Sequence, residues 1–276
     1  MKAFEVNISK TYGLPGDATL DVMLRKYPLD TKESERRVLR PCVITVPGGG
    51  YTWVSTREGE PVASYFMAQG YHTCVLTYST SPEHVYPTQL LQLAASVDYL
   101  RKHADEFSID PARIYCIGFS AGGHLVGDLA VEWNKLRDRH GVDYDARPSA
   151  VGLGYPVISS VFRYNATFTN LLAGYDEAEQ ARLMEQVQLD KAVTPDTAPC
   201  FVWTTAQDGL VPAQNTLAMA MACANAGVPY EAHVFPIGDH GLASGTAEVE
   251  VPEQLGRIVG RWLGMCDDFF RLHKIS

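Results

Sequence analysis

From residue 42 onward, short β-type apolar runs alternate with longer stretches of helical periodicity, and glycine or proline punctuates most of the junctions. Cys42 to Val46, Thr73 to Tyr78, Arg113 to Ile117, Ala150 to Tyr155, Cys200 to Ala206 and Tyr230 to Phe235 read as strands. Pro61 to Gln69, Thr88 to His103, Ala121 to Leu136, Glu177 to Leu189, Asn215 to Ala226 and Glu253 to Leu263 carry apolar residues at helical spacing. Two earlier runs, Phe4 to Ile8 and Thr19 to Lys26, also read as strands. Strands alternating with helices predict an α/β fold with a mostly parallel central sheet flanked by helices on both faces. Ligands on such sheets bind beyond the carboxyl ends of the strands, so the chemistry is expected just after each one.

The chain is 276 residues long, 46% hydrophobic and 20% charged. That suits one substantial core, and no composition shift, repeat or low-complexity tract marks an interior boundary, so residues 1–276 read as a single domain. With 23 basic against 32 acidic residues the net charge is -9, which argues against nucleic acid or an anionic membrane as partner. The opening MKAFEVNISKTYG lacks the apolar stretch of a secretory signal, and no later run approaches the roughly 18 apolar residues of a membrane span. The chain as written is therefore expected to be cytoplasmic. Cys42, Cys74, Cys116 and Cys200 fall inside separate strand-like runs and read as small buried thiols. With no CxxC pair and no HExxH helix, neither a metal nor another cofactor is expected. Nothing in the sequence sets the oligomeric state.

The strand ends supply a set of reactive residues. After Arg113 to Ile117 comes Gly118-Phe119-Ser120-Ala121-Gly122, a GxSxG sequence on a strand-to-helix junction. A tight turn there leaves no room for side chains two residues either side of Ser120 and lifts its hydroxyl above the sheet. The alternative is a helix N-terminus with Ser120 as cap. A serine nucleophile needs a base, and His240, in the glycine-flanked loop after the last strand, is the best placed of eight histidines. His233 lies inside that strand, and His124, one turn after Ser120, is expected to point into packing. Asp208 follows the apolar strand Cys200 to Ala206 and is the expected partner of the base. Its rivals are Asp190 and Asp196, which precede that strand, and Asp239, which is too near His240 in sequence to meet its ring easily. The order Ser120, Asp208, His240 is that of an α/β-hydrolase. An oxyanion hole is expected from the N–H groups of Gly49, Gly50 and Ala121, the glycines belonging to Pro47-Gly48-Gly49-Gly50 at the end of Cys42 to Val46. As a phosphate loop this run fails, because GxxxxGK[ST] and GxGxxG are both absent.

Val46-Pro47-Gly48-Gly49-Gly50-Tyr51, Ile117 to His124, Asp208-Gly209-Leu210-Val211-Pro212 and Gly238-Asp239-His240-Gly241 together resemble the esterase/lipase branch of the α/β-hydrolase superfamily, and within it the acetylxylan-esterase-like acetyl esterases. The resemblance runs from the strand before Pro47 to the final helix and implies a serine carboxylic-ester hydrolase with Ser120, Asp208 and His240 as triad. It departs from lipase-like relatives in having proline where they carry the histidine of HGGG. Only Ser159 to Asp196 is available as an insertion, which predicts a small cap, an open site and short acyl groups. Tyr51, Trp53 and Tyr155 are candidates for the walls of that site, with ordinary packing the alternative for Trp53 and Tyr155. The expected partner is a small-molecule ester, with an acetylated sugar or xylo-oligosaccharide implied by the resemblance. An amidase or peptidase of the same fold, arylformamidase-like enzymes included, and an inactive binding protein on the same scaffold are the competing readings.

Overall fold

The computed structural model describes residues 1–26, 38–162 and 166–275. Among them the β-type runs become β1 (Lys2–Asn7), β2 (Thr19–Leu24), β3 (Arg40–Val46), β4 (His72–Thr77), β5 (Ile109–Phe119), β6 (Val151–Gly154), β7 (Cys200–Thr205) and β8 (Tyr230–Phe235). They form one sheet in the order β1-β2-β4-β3-β5-β6-β7-β8. β2 is antiparallel to both β1 and β4, and every pairing from β4 to β8 is parallel. The chain leaves β3 for β4 on one side and then crosses to β5 on the other. The carboxyl ends of β3 and β5 therefore open side by side, with Val46 opposite Gly118. This is the switch point at which α/β sheets take their ligands.

Central parallel strands are buried on both faces, which is why they read as continuous apolar runs. Alternate residues feed two cores. Cys42, Ile44, Val46, Cys74, Leu76, Ile114 and Cys116 face one side, packing with the helices Thr88–Lys102, Ser120–Glu132 and Gln214–Ala226. Val43, Tyr115, Ile117, Phe119, Phe201 and Trp203 face the other, where Glu60–Ala68 and Trp262–Leu272 cover them. None of the described helices is long and apolar enough to cross a membrane.

Several boundaries differ from the sequence reading for local reasons. The first strand ends at Asn7 because that side chain accepts the Lys10 N–H and caps a short helix, Ile8–Tyr12, closed by left-handed Gly13. The helix expected over Ala121 to Leu136 ends at Glu132, and Leu136–His140 forms a separate turn. The closing helix is two helices, Glu253–Val259 and Trp262–Leu272, divided at Gly260. The expected insertion carries Ala166–Leu171, Glu177–Val187 and Leu189–Ala192, and residues 163–165 within it lie outside the described residues.

Two buried polar groups tie this scaffold to the loops above it. His124, on the helix after β5, is fully buried; its Nε2 lies 2.8 Å from the Val187 carbonyl and its Nδ1 2.8 Å from the Tyr51 hydroxyl. A carbonyl only accepts, so Nε2 carries the proton and Nδ1 accepts from Tyr51. Trp262 donates from Nε1 to the Ala243 carbonyl at 2.9 Å and stacks on Trp203 at 5.1 Å between ring centres.

Burial holds the His124 pKa down to about 4, against a smaller opposing effect of the Val187 carbonyl. Below pH about 6.5 the unfolded chain therefore takes up a proton that the folded chain refuses until about pH 4, and stability falls as pH drops through that window. His124→Gln should flatten this slope by up to about 3 kcal/mol in urea titrations run from pH 7 to pH 4. His72, held down to about 4 by burial and by Arg40, keeps its own share of the slope. Trp262→Ala, which empties a fully buried site, should cost about 3–5 kcal/mol of unfolding free energy in the same titration at pH 7.

Candidate active site

The turn from β5 into Ser120–Glu132 holds Ser120 at φ 53, a left-handed conformation that a non-glycine residue adopts only under constraint. The constraint comes from the glycines on either side. A Cβ at Gly118 would lie 2.1 Å from the Gly122 carbonyl oxygen, and one at Gly122 would lie 2.3 Å from the carbonyl oxygens of Val46 and Pro47. Only glycine at both positions lets the helix start hard against the ends of β3 and β5, with Ser120 projecting from the apex.

His240 Nε2 lies 3.0 Å from Ser120 Oγ, and His240 Nδ1 lies 2.7 Å from Asp208 Oδ2. Asp208 is almost fully buried, and its other oxygen, Oδ1, accepts the backbone N–H groups of Leu210 at 3.0 Å and Val211 at 2.8 Å. With two backbone N–H groups already donating to Oδ1, the Asp208 carboxylate accepts the hydrogen bond of His240 Nδ1–H, which keeps the proton on Nδ1 and leaves the Nε2 lone pair directed at Ser120. Asp239 does not reach the ring; its carboxylate accepts the backbone N–H of His240 at 2.8 Å. His233 lies in β8 and pairs with Glu231 at 2.7 Å.

The backbone around Ser120 is turned in a consistent direction. A trans peptide points its carbonyl and its N–H in opposite senses. The Gly48 carbonyl accepts from Ser55 N at 3.0 Å, and the Gly49 carbonyl from Thr52 N at 3.0 Å and Trp53 N at 3.3 Å. The Ser120 carbonyl accepts from Val157 N at 3.2 Å. The N–H groups on the far sides of those peptides belong to Gly49, Gly50 and Ala121, and they face away from these anchors. Gly49 sits at φ 127, and a Cβ there would fall 2.0 Å from the Trp53 carbonyl oxygen. Gly48 is the exception in the run, because its N–H points inward to Glu58 Oε2 at 2.7 Å.

A cleft of about 250 Å3 opens over these groups, lined by Gly49, Gly50, Ser120 and His240 and walled by Trp53, Leu210, Asn170 and Arg57. Of the three aromatic residues expected on its walls, only Trp53 is there, with 59% of its surface exposed. Tyr51 and Tyr155 are displaced from that role because buried partners claim their hydroxyls: Tyr51 donates to His124, and Tyr155 donates to Glu58 Oε1 at 2.7 Å. Tyr155 still meets the site from beneath, its ring 4.8 Å from the imidazole of His240. A larger groove of about 720 Å3 lies beside β1, β2 and β4, over Phe4, Val22, Val54 and Val75, but no serine–histidine pair lines it.

Sequence reasoning missed Glu58 and Asn170. Asn170 donates from Nδ2 to the Gly50 carbonyl at 2.8 Å, so the insertion braces the glycine loop. Glu58 is 5% exposed, and burial pushes its carboxyl up while the Tyr155 hydroxyl and the Gly48 N–H pull it back. Neither residue belongs to a spacing motif, and each is recognisable only by what the fold brings against it.

Residues 29–222 match the BD-FAE family. Over 212 residues, 74% of this chain, the sequence is 34% identical to endo-1,4-beta-xylanase B of Butyrivibrio fibrisolvens, of which that stretch covers 33%. Over 225 residues, 80% of this chain, it is 29% identical to an acetylxylan esterase of Xylanibacter ruminicola, covering 45% of that protein. The chain thus spans between a third and a half of the length of these curated relatives. The acetyl ester-xyloside bifunctional hydrolase of Caldicellulosiruptor lactoaceticus superposes with a TM-score of 0.76 at 31% identity, covering 94% of this chain and 89% of that one. The matched stretch contains β3 to β7, Ser120, Asp208 and the glycine loop, and on these grounds the chain belongs to the BD-FAE family of α/β-hydrolases, a family whose relatives include esterases.

Proposed function

We propose that this protein hydrolyses esters of short acyl groups, acetyl above all, through an acyl-enzyme formed on Ser120. The observation that carries the reading is the unbroken series Ser120 Oγ, His240 and Asp208, at 3.0 and 2.7 Å, beneath a cleft lined by Gly49 and Gly50. His240 Nε2 takes the Ser120 proton as Oγ attacks the ester carbonyl. Asp208 holds the imidazole in the tautomer this requires and stabilises the imidazolium that results. The oxyanion forms against the N–H groups of Gly49, Gly50 and Ala121, the last of them at a helix N-terminus. The imidazolium then passes its proton to the departing alcohol. Water, deprotonated by His240, attacks the acyl carbonyl, and as the bond to Ser120 Oγ breaks the imidazolium returns its proton to Oγ, releasing the carboxylic acid and the free Ser120 hydroxyl.

Cleft size supports the short acyl preference. A volume of about 250 Å3 bounded by Leu210, Asn170 and the glycine loop accommodates a small acyl group with part of an alcohol, and among the described residues Trp53 and Leu210 are the large apolar side chains that line it. The rim favours a hydroxyl-rich alcohol. Trp53 offers an exposed aromatic face, and Thr52, Asn170 and Arg57 bring polar atoms beside it. An acetylated sugar or short xylo-oligosaccharide fits such a surface, in keeping with relatives named acetylxylan esterase and acetyl ester-xyloside hydrolase.

Ser120→Ala should lower turnover of p-nitrophenyl acetate by roughly 10,000-fold or more with the thermal transition preserved, and should abolish fluorophosphonate labelling. Retained turnover would sink the nucleophile assignment. In a series of p-nitrophenyl esters, kcat/KM is expected to fall by about tenfold or more between acetyl and octanoyl, since a longer chain has to leave the cleft. A rising series would overturn the acyl-size argument, and faster release from N-formyl or aminoacyl amides than from acetyl esters would move the assignment to an amidase.

A further inference from the structure

We propose that Glu58 is a positioning residue that fixes the glycine loop and His240 relative to one another through Tyr155, a role that rests on the ester-hydrolase reading above. A carboxylate is costly to bury, and no cation pairs with Glu58 among the described salt bridges. Both of its oxygens are nevertheless engaged. Oε2 accepts the Gly48 N–H and Oε1 accepts the Tyr155 hydroxyl, each at 2.7 Å.

Each contact leads directly to the reaction centre. The Pro47–Gly48 peptide is clamped at both ends, by Glu58 on the N–H and by the Tyr78 hydroxyl, which donates to the Pro47 carbonyl at 2.9 Å. Fixing that peptide plane sets where the next two peptides begin, and those carry the Gly49 and Gly50 N–H groups. On the other side, the Tyr155 oxygen accepts the Ala243 N–H at 3.0 Å, three residues beyond His240. The Tyr155 ring packs edge-on against the His240 imidazole at 4.8 Å, with the planes at 68°. One carboxylate thus links the loop after β3, the end of β6 and the loop after β8. These three segments are far apart in sequence and must agree to within a fraction of an ångström for the serine, base and oxyanion donors to act together.

A carboxylate suits this place better than its amide. Glu58 meets two donors, whereas glutamine offers one acceptor and one donor. Its NH2 would face either the Gly48 N–H or a tyrosine oxygen that already accepts from Ala243, leaving the Tyr155 proton without an acceptor. Glu58→Gln therefore disturbs the linkage at nearly constant shape.

The test is steady-state hydrolysis of p-nitrophenyl acetate by Glu58→Gln, Tyr155→Phe, the double variant and Ser120→Ala, with thermal transitions recorded for each. Positioning predicts that each single variant lowers kcat by about 10- to 100-fold with KM within about threefold of the parent. It also predicts that the double variant is no more than about threefold slower than the slower single, since both cut the same linkage. The assignment is overturned if either single retains kcat within twofold, if the loss lies in KM alone, or if the two losses multiply. Should Glu58→Gln fail to fold, Tyr155→Phe, which keeps the ring, decides by the same kcat and KM criteria. An inactive Ser120→Ala beside unimpaired Glu58→Gln and Tyr155→Phe would reject the positioning role and leave the ester-hydrolase reading standing. An active Ser120→Ala would reject both.

Discussion

Backbone strain at one residue organises the rest of the molecule. Ser120 at φ 53 sits in a conformation that costs on the order of 1–3 kcal/mol, and the surrounding structure must over-determine it. It does so by close approach of main chain to main chain. Gly122 rests on the carbonyl oxygens of Val46 and Pro47, and a Cβ on Gly48 would meet the Phe119 carbonyl oxygen at 2.7 Å. The end of β3 and the start of the helix after β5 can be this near only because Gly48 and Gly122 bring no side chains to the contact. The same packing that stores the strain sets the serine beside the glycine loop.

Loops held so close to a buried sheet need their polar groups satisfied from within, and a few buried side chains do this. Asp208 absorbs two backbone N–H groups and the imidazole, His124 spans Tyr51 and the insertion, and Glu58 spans the Gly48 peptide and Tyr155. Hydrogen bonds of this kind are valuable mainly through the penalty of leaving a buried group unpaired. The surface pairs Arg257–Glu253 and Arg137–Asp143 lie among exposed side chains and contribute little by comparison. Rigidity therefore concentrates where the chemistry is proposed to occur.

The sequence announces this arrangement unevenly. Parallel strands buried on both faces leave continuous apolar runs, so β3 to β8 were legible from order and punctuation, and Ser120, Asp208 and His240, proposed as the reacting groups, were picked out by their places just after such runs. The antiparallel start was only half legible, because the alternation of β1 and β2 does not say which strand they join. Tyr51, and Tyr155 for which packing was the alternative, were ambiguous, since an aromatic residue beside a glycine loop looks the same in sequence whether its hydroxyl faces a ligand or a buried partner such as His124 or Glu58. Glu58 and Asn170 were invisible for the converse reason. Glu58 in Thr56-Arg57-Glu58-Gly59-Glu60 reads as loop polarity, like Glu60 beside it, until the fold removes it from water.

This division between fixed and exposed groups bears on how such a site would diversify. Ser120, His240, Asp208, the glycine loop, Glu58 and Tyr155 are locked to one another, and a change at any of them propagates to several others. Trp53 and Leu210 stand on the rim, 59% and 42% exposed, with side chains that take no part in that network. If the proposed reaction holds, replacing their side chains would alter the surface offered to the ester while leaving the buried side-chain hydrogen bonds beneath it in place. Under the proposed reaction, substrate choice and bond-breaking are thus carried by different layers of the same cleft: the inner one held by buried polar contacts, the outer one free to vary with the substrate.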